Sequence, residues 1–251
     1  MRRFSSLLAC LLLAAPTLEA QQIPDYVAKA VAAPERSGKD SERDARDKPA
    51  ELLAFSGVKP GMKVADVFGG GGYWSELFAR AVGPTGSVTL VNNAPYWNFS
   101  REDLKTRFAD NRLQNVKPRV VETRDLDLDA GQYDLIVIFM SYHDLYWVDE
   151  ANGWPAIDAG GFLDQLNRAL KPGGKLLIVD HAAKEGTGKS AAQDVHRIDE
   201  DFAKKDIASH GFLFEKAWPG YRNSTDDHSK DVFDASVRGK TDRFTHLYRK
   251  S

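Results

Sequence analysis

The chain has 251 residues, 42% of them hydrophobic, a formal net charge of −2 and one cysteine. This length suits one large domain with a substantial core and does not require two. The near balance of acidic and basic residues excludes the electrostatic footprint of a nucleic-acid or anionic-membrane binder and leaves a small molecule as the expected partner; a lone cysteine excludes a disulfide framework.

Arg2 and Arg3 precede an apolar run from Leu7 to Ala15, which is followed by Pro16 and the small residue Ala20. That order is the pattern of a signal peptide, too short for a stable membrane anchor. It predicts a bacterial-type exported protein, periplasmic or secreted, that loses residues 1–20 and Cys10 with them. Residues 21–47 are polar and charged, with a short helical pattern around Tyr26–Val31, and are expected to form a loosely attached lead-in to a domain spanning residues 48–251.

From Lys48 onward strand and helix signals alternate. Strands are predicted at Lys63–Phe68, Ser87–Asn92, Arg119–Thr123, Leu135–Met140, Lys175–Asp180, Phe212–Trp218 and Phe244–Arg249. Between the first two, Trp74, Leu77, Phe78, Ala81 and Val82 recur at helical spacing and predict a helix lying on a sheet. Alternating elements imply βαβ units and a mostly parallel sheet, and the apolar run LIVIFM (135–140) implies a central strand covered on both faces. Tyr221–Arg243 is irregular and too long for an ordinary connection, which makes it a functional-loop candidate.

The run VADVFGGGGYW (64–74) places four glycines between a strand and a helix, so that backbone N–H groups and a helix N-terminus face a bound ligand. A phosphate-cradling loop needs Lys and Ser or Thr after the last glycine, where Tyr73 and Trp74 stand. A dinucleotide fingerprint is only nearly matched, because Ser75 follows Gly70-x-Gly72. A site for S-adenosylmethionine is the remaining reading.

VADVFGGGGYWSELFARAVGPTGSVTLVN (64–92) resembles motif I and the second strand of class I S-adenosylmethionine-dependent methyltransferases. LNRALKPGGKLLIVD (166–180) resembles their penultimate helix, Pro-Gly-Gly turn and fifth strand. The Phe inside motif I and the segments HRID (196–199) and DDHSKDVFD (226–234) resemble a bacterial group predicted to be methyltransferases. The resemblance implies an α/β fold with a Rossmann-like seven-stranded, mostly parallel sheet, an antiparallel last strand and helices on both faces. It also implies S-adenosylmethionine as cofactor. Asp66 would orient the glycine loop, Gly69, Gly70, Gly71 and Gly72 would let the backbone approach the cofactor's amino-acid part, and Asp125, with Asp127 as an equal candidate, would lie near the adenine. Two residues depart from the pattern. Phe68 takes the place of the first glycine, and Asn92 takes the place of the acidic residue that holds the ribose hydroxyls.

In a parallel sheet, ligands bind outside the carboxyl ends of the strands. Topology sends His143, His181, His196 and His228 to that edge, with Asp144, Arg197, Asp199 and Asp227 beside them, and leaves His210 and His246 elsewhere. His143, Asp144, His196, Asp199 and His228 are therefore the candidate catalytic residues, with His143 as a general base and Asp199 alternatively a helix cap. Tyr142, Tyr146, Trp147 and Trp154 are candidates for the wall of a substrate pocket. The leading expectation is methyl transfer to a small molecule. An exported binding module without catalysis and a metal-dependent enzyme using the rim histidines are the alternatives.

Overall fold

The structure, a computed structural model, describes residues 22–251; the expected signal peptide lies outside them. Seven strands make one sheet: β1 (Lys63–Val67), β2 (Ser87–Asn92), β3 (Val116–Val120), β4 (Tyr133–Phe139), β5 (Leu170–His181), β6 (Phe212–Ala217) and β7 (Arg243–Lys250). Their order is β3-β2-β1-β4-β5-β7-β6. β1 to β5 pair in parallel, and β7 is antiparallel to both β5 and β6, as expected.

Helices cover both faces. On one, α1 (Asp25–Val31), α3 (Pro49–Ser56) and α4 (Tyr73–Val82) bury Val27, Leu52, Leu77 and Phe78 against Val64, Val88 and Leu135; α5 (Ala94–Arg107) adds Leu104 to the same cluster. On the other, α6 (Ala159–Ala169) and α8 (Glu200–Ser209) bury Phe162, Leu166 and Ile207 against Ile136 and Ile178. The stripe predicted for α4 is buried along its whole length, which explains why a nine-residue pattern sufficed to find it.

Most strand boundaries fall within two residues of expectation, but two strands start three or more residues earlier. β3 begins at Val116 and contains Pro118, which an edge strand tolerates because one side of its backbone faces no partner. β5 begins at Leu170, and the Lys171–Gly174 turn is folded into it as an irregularity, with Gly173 at φ 72° between the pairs Tyr133–Leu170 and Leu135–Lys175.

The lead-in is not loose. Its predicted helix is α1, and a second helix, α2 (Gly38–Asp47), follows it. Val27 is fully buried, and the Tyr26 hydroxyl donates to the Val58 carbonyl at 2.9 Å. Arg36 pairs with Asp44 at 2.6 Å, Tyr73 donates to Asp44 at 2.6 Å, and Tyr221 donates to the Asp47 carbonyl. α2 is too polar to announce itself by an apolar stripe, so it is held by ion pairs that only the folded chain brings together.

Candidate active site

The glycine loop runs from the end of β1 to the start of α4. Beneath it, Asp66 is wholly buried; its Oδ2 accepts from the Ser75 hydroxyl at 2.6 Å, while its Oδ1 has no partner among the described residues. Burial pushes its pKa up to about 7, against the opposing hydrogen bonds from Ser75. Gly69 is required by close approach, since a Cβ there would lie 2.7 Å from Asp66 Oδ2. Gly72 is required by its φ of 79° as the residue that enters α4.

Above the loop, a cavity of about 800 Å³ is lined by Asp66, Gly69 and Gly71, by Arg43 and Arg46 of α2, and by an aromatic pair. That pair is Trp74 on Phe139, stacked with ring centres 4.3 Å apart. A buried charge network closes the outer wall. Arg107 bonds Asp40 of α2 at 2.6 Å and the Gly71 carbonyl at 2.6 Å, and with Arg80 and Arg112 it surrounds Glu76. These three arginines overcome the effect of burial and hold the Glu76 carboxyl below its ordinary range.

The opposite side of the loop is aromatic. Phe68 has φ 55°, a conformation that is costly for a bulky residue, and its ring stacks on Tyr96 at 5.0 Å and on Phe162 at 5.5 Å, with Trp154 at 6.0 Å. Asn92 does not face this space freely. Gly70 N–H donates to Asn92 Oδ1 at 3.0 Å and Asn92 Nδ2 donates back to the Gly70 carbonyl at 3.1 Å, so the amide clamps the loop. Asp125 is exposed and accepts from the Asp127 N–H at 3.1 Å, while Asp127 pairs with Arg119 at 2.7 Å. The residues therefore fit the amino-acid end of S-adenosylmethionine: Asp66 Oδ1 is free to accept a hydrogen bond from an ammonium, and the cavity has room. At the nucleoside end Asn92 is engaged by the loop, and Phe68 packs against Tyr96 and Phe162.

Three residues past Met140, which lines the cavity, His143, Asp144 and His196 come together. His143 Nε2 lies 3.3 Å from Asp144 Oδ1, and His196 Nδ1 lies 3.9 Å from the same oxygen. His143 Nδ1 is 2.8 Å from Asp180 Oδ1. Burial alone would lower the pKa of His143, but Asp180 and Asp144 overcome it and lift it to about 9. Burial and the charge of His143 push His196 down, and burial pushes Asp144 up. His196 sits at φ 52° after α7 (Ser190–Val195), between Trp147 at 4.9 Å and Phe233 of the long loop at 5.1 Å.

The other candidates are placed apart. Asp199 accepts from the N–H groups of Asp201, Phe202, Gly186 and Gly188, the alternative role of a cap at the start of α8. His228 Nε2 pairs with Asp242 at 3.1 Å, and Asp227 accepts from Ser229 within the loop's own turn. Arg197 is fully buried on Asp226 at 2.8 Å and anchors that loop. His181 bonds the Thr241 hydroxyl at 2.7 Å, and burial holds its pKa well below the ordinary value. Of the aromatic candidates, Trp154 and Trp147 stand near the site, whereas Tyr142 and Tyr146 both donate to Asp206. Sequence reasoning missed Asp180 and Tyr96. A lone carboxylate ending the apolar run LLIVD of a parallel strand was the available signal for Asp180; nothing local marked Tyr96.

A seven-stranded sheet of this order, with a glycine turn over a buried carboxylate at the end of β1, defines a class I methyltransferase fold. Residues 38–226 match the family described as "Methyltransferase domain", and the chain belongs to it. The chain thus carries a methyltransferase domain. It is 28% identical over 145 residues to the ubiquinone/menaquinone biosynthesis C-methyltransferases of Pseudomonas aeruginosa and Pseudomonas putida, covering 57% of this chain and 51% of those proteins; it spans about half the length of these curated relatives. A methyltransferase of Aquifex aeolicus shares the fold with a TM-score of 0.58 and 18% identity over 85% of this chain and 97% of that one. An arsenic(III) methyltransferase of Chlamydomonas reinhardtii does so with 0.57 and 19%, over 90% and 73%. The [4+2]-cyclase SpnF shares it with 0.59 and 16% identity, over 86% and 84%, so the fold alone does not fix the reaction.

Proposed function

We propose that this enzyme passes the methyl group of S-adenosylmethionine to a small aromatic acceptor seated on the rim beyond β4. One observation carries the reading: beneath the glycine loop, at the floor of a roomy cavity, lies a wholly buried carboxylate with an oxygen unpartnered among the described residues. Asp66 would take the cofactor's ammonium there, and Arg43 or Arg46 its carboxylate. The bound cofactor supplies a methyl group already activated by its sulfonium. Trp74 and Phe139 form a flat wall suited to a nearby cation, and most of the remaining catalysis is positioning. Trp147 and Trp154, 5.7 Å apart, give the rim an aromatic surface. The Pseudomonas relatives, named for quinone biosynthesis, support an electron-rich ring as acceptor. The test is to incubate the purified full chain with S-adenosylmethionine and a panel of small quinols and phenols. Stoichiometric demethylated cofactor and methylated product are expected; a panel without turnover, by protein that binds the cofactor, would count against the acceptor class.

We also propose export, supported by the order Arg2-Arg3, Leu7–Ala15, Pro16 and Ala20. An exported enzyme must receive its cofactor from the cytosol, where it is made. N-terminal sequencing should find Gln21 first; an intact Met1 on cytosolic protein would remove this reading.

A further inference from the structure

We infer that His143, Asp144 and His196 hold a divalent first-row transition-metal ion on the rim of the sheet. Their donor atoms converge within 4.8 Å of one another. Nε2 of His143 at 3.3 Å and Nδ1 of His196 at 3.9 Å both face Asp144 Oδ1, and neither contact is a well-formed hydrogen bond. Such spacings are loose for hydrogen bonding and close to those of a shared ion: donors about 2.1 Å from a four-coordinate metal stand about 3.4 Å apart.

Each donor is also held by a second contact that leaves the right atom free. Asp180, fully buried, accepts from the His143 backbone N–H at 2.7 Å, from the His181 N–H at 2.7 Å and from His143 Nδ1 at 2.8 Å. A carboxylate on Nδ1 fixes the tautomer that presents the Nε2 lone pair to a metal. Tyr96 donates to Asp144 Oδ2 at 2.7 Å, leaving Oδ1 for the ion. The left-handed turn after α7 swings His196 into place, and Trp147 and Phe233 wall its ring.

Two imidazoles and one carboxylate suit zinc, iron(II), cobalt or nickel better than magnesium or calcium, which prefer oxygen. Three protein donors leave at least one position open, and His196 keeps 17% of its side-chain surface exposed. The ion site stands independently of methyl transfer; that its open position takes an oxygen of the acceptor rests on the proposed function.

The full chain, stripped with a chelator, should be titrated with cobalt(II) while its visible absorption is followed. One equivalent per chain is expected, giving bands of a four- or five-coordinate ion, and zinc should displace it. His196→Gly should abolish uptake while circular dichroism stays unchanged, because glycine tolerates the positive φ at that position. Asp180→Asn should weaken binding by about 10- to 100-fold. His210→Ala, on the exposed pair with Asp164, should leave it unchanged. Stoichiometric uptake supports the site whether or not methyl transfer is detected. No uptake by folded wild-type protein, or uptake unaffected by His196→Gly, would overturn it.

Discussion

The two sides of the glycine loop are built from opposite materials. Toward α2 the crevice is charged and hydrogen-bonding: Asp66 below, Arg43 and Arg46 across, and the Arg107–Asp40–Glu76 network outside. Toward β4 and α6 it is closed by Phe68 stacked between Tyr96 and Phe162, with Trp154 tilted against it. The charged side has an unmet electrostatic demand and the aromatic side has none. Recognition of the cofactor is therefore concentrated at its amino-acid end, and the aromatic side contributes shape and rigidity.

The contrast is sharpest at Asp66. A carboxyl raised from 3.8 to about 7 in the folded state binds its proton more tightly there than in the unfolded chain, so its contribution to stability falls as pH rises from about 4 to 7 and is constant above. The ionised form costs the empty protein about 4 kcal/mol. Asp66→Asn should remove that part of the slope and raise the melting temperature at pH 8 while changing it little at pH 4. A variant whose stability parallels wild type across this range would break the assignment.

On the aromatic side, Phe68→Gly should cost about 3 kcal/mol in chemical denaturation. The loss of a buried ring, roughly 3–5 kcal/mol, outweighs about 1 kcal/mol gained by relieving its positive φ. It should also tighten cofactor binding by returning a glycine to the place of the family's first one, and unchanged affinity would mean that Phe68 is no barrier. Arg107→Met should cost about 2 kcal/mol, below the roughly 3–5 kcal/mol of a broken buried pair, because Glu76 keeps Arg80 and Arg112. Faster proteolysis within residues 25–47 should accompany it, as α2 loses its tie to the loop. Asn92→Asp should cost about 1 kcal/mol and weaken cofactor binding, since a carboxylate cannot donate to the Gly70 carbonyl. A substitution that strengthened binding would restore a ribose role for this position.

What could be read in advance follows the same division. β1, α4 and β4 were legible because their signals are local: an apolar run, a helical stripe and four consecutive glycines. The parallel-sheet rule also placed His143 and His196 on one rim, but it resolved no distances. It therefore grouped them with Asp199 and His228, whose partners are their own neighbouring backbone and Asp242. α2 escaped because its residues are bound by the Tyr73 hydroxyl of α4 and the Arg107 guanidinium of α5, remote in sequence. The pairing of Asp180 with His143 crosses 37 residues and depends on two adjacent strands ending level.

The measurement that tests the central claim most directly is calorimetric titration of the full chain with S-adenosylmethionine and with its demethylated product, for wild type and Asp66→Asn, between pH 5.5 and 7. Wild-type affinity should rise with pH as the Asp66 carboxylate forms, approaching tenfold per unit below its pKa, and the variant should bind at least tenfold more weakly at pH 7 with no such rise. No heat from folded wild-type protein at millimolar ligand, or equal affinity and pH dependence in the two proteins, would contradict it.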